Sequence, residues 1–109
     1  MEHFKKKEWL SSKDYVLVTI DFDAETKKVI CFCVAQICLL GGKEHEVIKF
    51  DSAHGVVHAH RYYQRAKHAG ENLNSEISSE TAKEFKREII TNWQKYKQWF
   101  LSKRQNISI

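Results

Sequence analysis

A chain of 109 residues with 42% hydrophobic content, including three Trp, four Tyr and six Phe, can fill one core, which excludes global disorder and leaves no room for a second domain. Three cysteines, odd in number and set within one apolar run, exclude a disulfide framework, and no run approaches the ~18 apolar residues of a membrane span. The formal charge of +4 directs attention to acidic partners such as nucleic acid, and the whole composition suits a soluble cytoplasmic protein.

The opening MEHFKKKEWL has basic residues with no apolar segment behind them and fits either a short N-terminal helix or a frayed arm. YVLVTIDFD, from Tyr15 to Asp23, is rich in β-branched and aromatic residues and alternates in its second half, so it reads as a strand. A polar turn, AETKK, separates it from the apolar run VICFCVAQICLL (Val29 to Leu40). The β-branched content and the Gly41-Gly42 pair that follows favour a long central strand over a buried helix. EHEVIKFD, ending at Asp51, alternates as a third strand. A turn at Ser52 to Gly55 then leads into VVHAHRYYQ, Val56 to Gln64, as a fourth.

Residues 65–78 are polar, contain Gly70 and read as a loop. From Ser79 the pattern changes to a helical period: Ala82, Phe85, Ile89, Trp93, Tyr96 and Phe100 recur at spacings of three and four, with Thr81 and Glu84 as a capping box. The expected architecture is therefore α+β. A four-stranded antiparallel meander, about residues 15–64, is covered on one face by a long C-terminal amphipathic helix, about residues 79–104, in a single domain spanning 1–109.

The stretch FDSAHGVVHAHRYY holds three of the six histidines. Residues two apart on a strand share a face at about 6.6 Å spacing. His58, His60 and Tyr62 thus project together, with His54 and Asp51 at the adjoining bend, while Val57, Ala59, Arg61 and Tyr63 project the other way. The pattern does not decide which set faces solvent.

Such a row can serve acid–base catalysis, with two imidazoles exchanging protons, Tyr62 positioning and a cation stabilising a phosphorane-like anion. That is the equipment for cofactor-free RNA cleavage. It can instead place His54, His58 and His60 around a divalent transition metal, although no H-E-x-x-H or C-x-x-C pattern accompanies it. Structural histidines bonded to backbone or carboxylates are the third alternative.

Elsewhere, Asp21 and Asp23 read as turn residues more than as a paired-carboxylate site, Cys31 and Cys33 as inert packing on one strand face, and His45 and His68 as surface residues.

Val47-Ile48-Lys49-Phe50-Asp51-Ser52-Ala53-His54-Gly55, followed by His58 and His60, resembles the V-[IV]-[RK]-[YF]-D-x-A-H-G-x-x-H motif of small prokaryotic TumE-like toxins of toxin–antitoxin pairs. The resemblance spans about fifteen residues. It implies an RNA-directed activity restrained by a cognate antitoxin. Lys49 stands where arginine is commoner, which keeps the charge but loses bidentate phosphate geometry.

The resulting expectation is RNA bound by Lys49, Arg61, Arg65, Lys86 and Arg87 and cleaved by His54, His58 and His60, with Asp51 orienting an imidazole, Tyr62 assisting and no metal required. The rival expectation is a non-catalytic interaction module or homodimer.

Overall fold

Gly41 and Gly42 both take positive φ, 59° and 78°, as the two central residues of a type I′ turn require; this turn joins Leu40 to Lys43 with the twist of the strands it connects. In the computed structural model, which describes residues 1–64 and 70–107, that hairpin is the middle of a larger sheet. Its arms are β3 (Val29–Leu40) and β4 (Lys43–Asp51). Before them come β1 (Glu2–Ser11) and β2 (Asp14–Phe22), and after them β5 (Val57–Arg61) and β6 (Glu71–Leu73). The six strands lie in chain order, every neighbouring pair antiparallel. Helix α1 (Ser79–Ile107) closes the chain.

The α+β class and the meander are as expected, but the sheet has six strands and not four. The N-terminal segment is neither helix nor frayed arm. It pairs with β2 from Glu2↔Phe22 to Trp9↔Tyr15. Three consecutive lysines hide its alternation, because their long stems tolerate either face and a lysine-bearing edge resists unwanted pairing. Lys7 and Trp9 fold onto Tyr15, with the ammonium 4.7 Å from the ring centroid and the Trp9 ring centroid at 4.9 Å.

The other added strand, β6, interrupts the expected loop. It is three residues long and mostly polar, so it has no readable period; pairing with β5 and the Arg61–Glu71 contact hold it. The preceding strand is also shorter than expected, ending at Arg61.

α1 lies over β2, β3 and β4. Its stripe of Ala82, Ile89, Tyr96 and Phe100 is buried against Val16, Val34, Ile48, Phe50, Val57 and Ala59, and Phe85 stacks on Phe50 with ring centroids 4.1 Å apart. The helix cap differs from the expected Thr81–Glu84 box. Ser78 Oγ accepts the Thr81 N–H at 3.1 Å, because the helix begins at Ser79 and Thr81 is already in its first turn.

Polar ties help to fix α1 on the sheet. Gln36 donates to the Trp93 carbonyl at 2.9 Å, and Lys97 pairs with the 1% exposed Asp14 side chain at 2.8 Å. His45, expected at the surface, shares the helix side and lies 6.1 Å from the Phe100 ring. His68 lies outside the described residues.

Candidate functional site

The register of three strands builds the site. Asp51 pairs across β4 and β5 with His58, Lys49 pairs with His60, and Cys33 and Ala35 continue the two rows on β3. Val57 and Ala59, on the alternate parity of β5, are buried in the same core cluster as the α1 stripe. His58 and His60 therefore stand on the opposite face, the one without a helix. Both are half-buried.

Asp51 is the hub. Its Oδ2 lies 3.5 Å from His60 Nε2 and 3.9 Å from Lys49 Nζ, and its Oδ1 accepts the Ala53 N–H at 3.3 Å. Lys49 also reaches Glu46 at 3.5 Å. Burial pulls the Lys49 ammonium down, but Glu46, Tyr62, Cys33 and Asp51 together outweigh it and leave it above the usual lysine value, so it is a fixed cation at neutral pH. His58 meets His60 edge-on at 6.3 Å between centroids, and Tyr62 stacks on the other side of His60 at 6.0 Å.

This arrangement offers one imidazole beside a carboxylate, a second imidazole next to it and an ammonium within the same patch. A catalytic imidazole must come within about 2.6–3.2 Å of the proton it moves.

The remaining sequence-predicted residues do not all join the patch. His54 sits in the short 3-10 turn Ala53–Gly55, exposed and at positive φ (60°), with no side-chain hydrogen bond among the described residues. Arg61, on the parity of Val57 and Ala59, belongs to the helix side, where it binds Glu71 at 3.1 Å and the Tyr63 hydroxyl at 3.3 Å. Lys86 pairs with Glu8 at 3.4 Å beside β1, and Arg87 is carried by α1 as well. Arg65 lies outside the described residues.

The expected RNA-binding set is thus not one surface, and of its described members only Lys49 accompanies the histidines. A strand's alternation separates Arg61 from His60, and α1 takes its own cations to the far face. Nor do His54, His58 and His60 converge as a ligand set: among the described residues no three His, Cys, Asp or Glu side chains group in a way that could hold a metal ion.

Three features were not anticipated from sequence. Gly70, at φ 106°, packs against the His60 ring. Asp21 accepts hydrogen bonds from His3 and, at 3.2 Å, from the Cys31 thiol, and the His3 contact followed by that of Cys31 holds its carboxyl below the usual value. A shallow depression of about 250 Å³, lined by Thr19, Asp21, Cys31, Cys33, Asp51 and Ala53, connects this row to the hub.

The signal for the second feature lay in the cross-strand register His3↔Asp21↔Cys31, which needs the unforeseen β1. Asp23, by contrast, does act as a turn residue, accepting the backbone N–H groups of Glu25 and Thr26 at 2.9 Å each. Cys33 is packed beside Tyr15, Ala35 and Ile37, and all three cysteines are free thiols.

Residues 2–106 match the family described as a domain of unknown function, DUF7718. No curated protein and no solved structure matches the chain. Among the described residues no helix is long and apolar enough to cross a membrane.

Proposed function

Since the chain belongs to the DUF7718 family, to which no activity is attached, we propose from the geometry of the uncovered sheet face that it is a metal-independent, RNA-directed ribonuclease. The observation that carries the reading is the sharing of one Asp51 oxygen between His60 Nε2, at 3.5 Å, and Lys49 Nζ, at 3.9 Å, with His58 next in the same row.

In this reading one imidazole takes the proton of a ribose 2′-hydroxyl as its oxygen attacks the neighbouring phosphorus. Lys49 stabilises the charge that develops on the phosphoryl oxygens, and the second imidazole protonates the departing 5′-oxygen. The products are a 2′,3′-cyclic phosphate and a 5′-hydroxyl. Asp51 positions His60, and Tyr62 supports the ring by stacking.

The biological setting, a cytoplasmic toxin held by a cognate antitoxin, rests on the resemblance of Val47 to His60 to the TumE-like motif. Incubating the purified chain with RNA in EDTA tests the chemistry. Cleavage that survives chelation, yields cyclic phosphate ends and stops when the 2′-hydroxyls are replaced by hydrogen supports it. Loss of cleavage in EDTA with recovery in zinc or manganese supports a metal at the histidines instead, and no cleavage in either condition supports a non-catalytic interaction module.

A further inference from the structure

An α-helix with its side chains is about 10–12 Å across. Neighbouring strands lie about 4.8 Å apart, so one helix covers two or three of them. The sheet has six, and α1 lies over β2, β3 and β4. On the β1 side this leaves a groove. Its floor is the helix-side parity of β1 and β2 and its wall is the first half of α1.

Two adjoining depressions of about 190 and 350 Å³ make up the groove and share Phe4, Ile20, Ser79 and Lys83. Val18, Phe22, Val29 and Ala82 complete the apolar lining. Phe4 is 45% exposed, and Ile90, one turn beyond Lys86 on the same flank of α1, is 40% exposed. An exposed apolar groove rimmed by polar side chains is the kind of surface that interaction sites present.

Charge identifies the occupant. The charged residues lining the groove are Lys6, Lys27, Lys83 and Lys86, with no carboxylate among them. Glu2 and Glu8 neutralise Lys27 and Lys86 from the ends, at 3.1 and 3.4 Å. Lys6 and Lys83 have no ion pair among the described residues.

We propose that this groove receives an amphipathic α-helix of a partner protein, lying alongside α1, with its apolar stripe on Phe4 and Ile20 and acidic residues on its flanks facing Lys6 and Lys83. Such a helix would bury the β1 edge of the sheet that α1 leaves bare, by the helix-in-groove mode in which residues at i, i+3, i+4 and i+7 act as anchors. A second copy of this chain is a poor occupant, since each copy carries a net +4 and brings the same lysines. A membrane surface fits less well, because α1 stands as a wall on one side and a flat layer cannot reach the floor. The proposal is independent of the reading of the histidine face, which is on the other side of the sheet.

The test uses the full chain and a synthetic helical peptide of about 18 residues with leucines at i, i+3, i+4 and i+7 and glutamates on both flanks. Amide shifts on titration are expected at Phe4, Ile20, Ala82 and Lys83. The same leucine stripe with lysine flanks should not bind. Lys6→Glu with Lys83→Glu, and separately Phe4→Ser, should each weaken binding at least about tenfold while leaving circular dichroism and RNA cleavage unchanged.

Equal binding of the two peptides, shifts confined to other surfaces, or no binding of the glutamate peptide overturns the proposal. So does occupation of the groove by concentration-dependent dimerisation, or preferential binding to vesicles of phosphatidylglycerol.

Discussion

Gly70 lies against His60 so closely that a β-carbon at position 70 would stand 2.7 Å from the imidazole Cε1 and 3.1 Å from Nδ1. The residue is held at φ 106°, a conformation that suits glycine and strains other residues. Backbone and ring thus fix one another across residues distant in sequence, and the ring they fix is the one beside Asp51.

Gly70→Ala should therefore move the His60 ring and also strain the backbone. The expected loss of stability is about 1–3 kcal/mol, together with a changed His60 Cε1–H resonance. Urea unfolding and a histidine-selective NMR spectrum measure the two effects. An unshifted resonance would show that the glycine does not seat the ring.

Asp51→Asn removes the charge that faces both Lys49 and His60 while keeping nearly the same shape. RNA cleavage should fall about 10²-fold with little change in unfolding midpoint, and the pH profile of the residual activity should be displaced. Lys49→Arg should keep activity, whereas Lys49→Ala should lose it, because the position needs a cation near the phosphoryl oxygens. A pure drop in stability at constant specific activity would assign these residues to folding alone.

Lys97 is the cation bound to the nearly inaccessible Asp14, whose second oxygen Oδ1 has no hydrogen-bond partner among the described residues. Lys97→Met should leave a buried carboxylate with only the Ser11 hydroxyl at 2.5 Å, costing about 3 kcal/mol and loosening α1 from the β1–β2 hairpin. Chemical denaturation checks the magnitude, and amide exchange at β2 checks the location.

Acid stability should depend on Asp21. Its carboxyl, held down first by the His3 hydrogen bond and then by Cys31, sits below the ordinary 3.8 in the folded chain. The stabilisation is therefore present above the unfolded value and disappears as pH falls through the lower folded one. Asp21→Asn should flatten the fall of the unfolding midpoint below about pH 4, and curves parallel to wild type would contradict the assignment.

All three thiols are displaced upward: Cys33 to about 11 by burial, Cys38 by burial, and Cys31 by its hydrogen bond to Asp21. Alkylation of the native chain near neutral pH should therefore be slow at every cysteine and accelerate on unfolding, as mass spectrometry of labelled peptides can show.

The parts of this fold that could be read from sequence are those whose pattern extends over many residues. Val29 to Leu40 with its Gly-Gly turn stands out as a continuous apolar run because the strand is buried on both faces, and the α1 stripe from Ala82 to Phe100 because burial on one face demands apolar residues at a helical interval. β1 is illegible because Lys5, Lys6 and Lys7 occupy both parities, and β6 because three residues carry no period.

The same division holds at the candidate site. The common projection of His58 and His60 follows from strand geometry alone. Which side they take, and the company of Lys49 without Arg61 or Lys86, depends on where α1 settles. Gly70's approach to His60 is a tertiary contact with no local signature.

The central claim, that His58 and His60 work on RNA as one acid–base unit, is tested most directly by single-turnover cleavage rates in EDTA for His58→Ala, His60→Ala and the folded double variant. Residues that act as a unit are non-additive, so each single substitution should cost about 10²–10⁴-fold and the double variant little more. Full activity in either single variant, or metal-dependent activity in the wild type, would contradict the account.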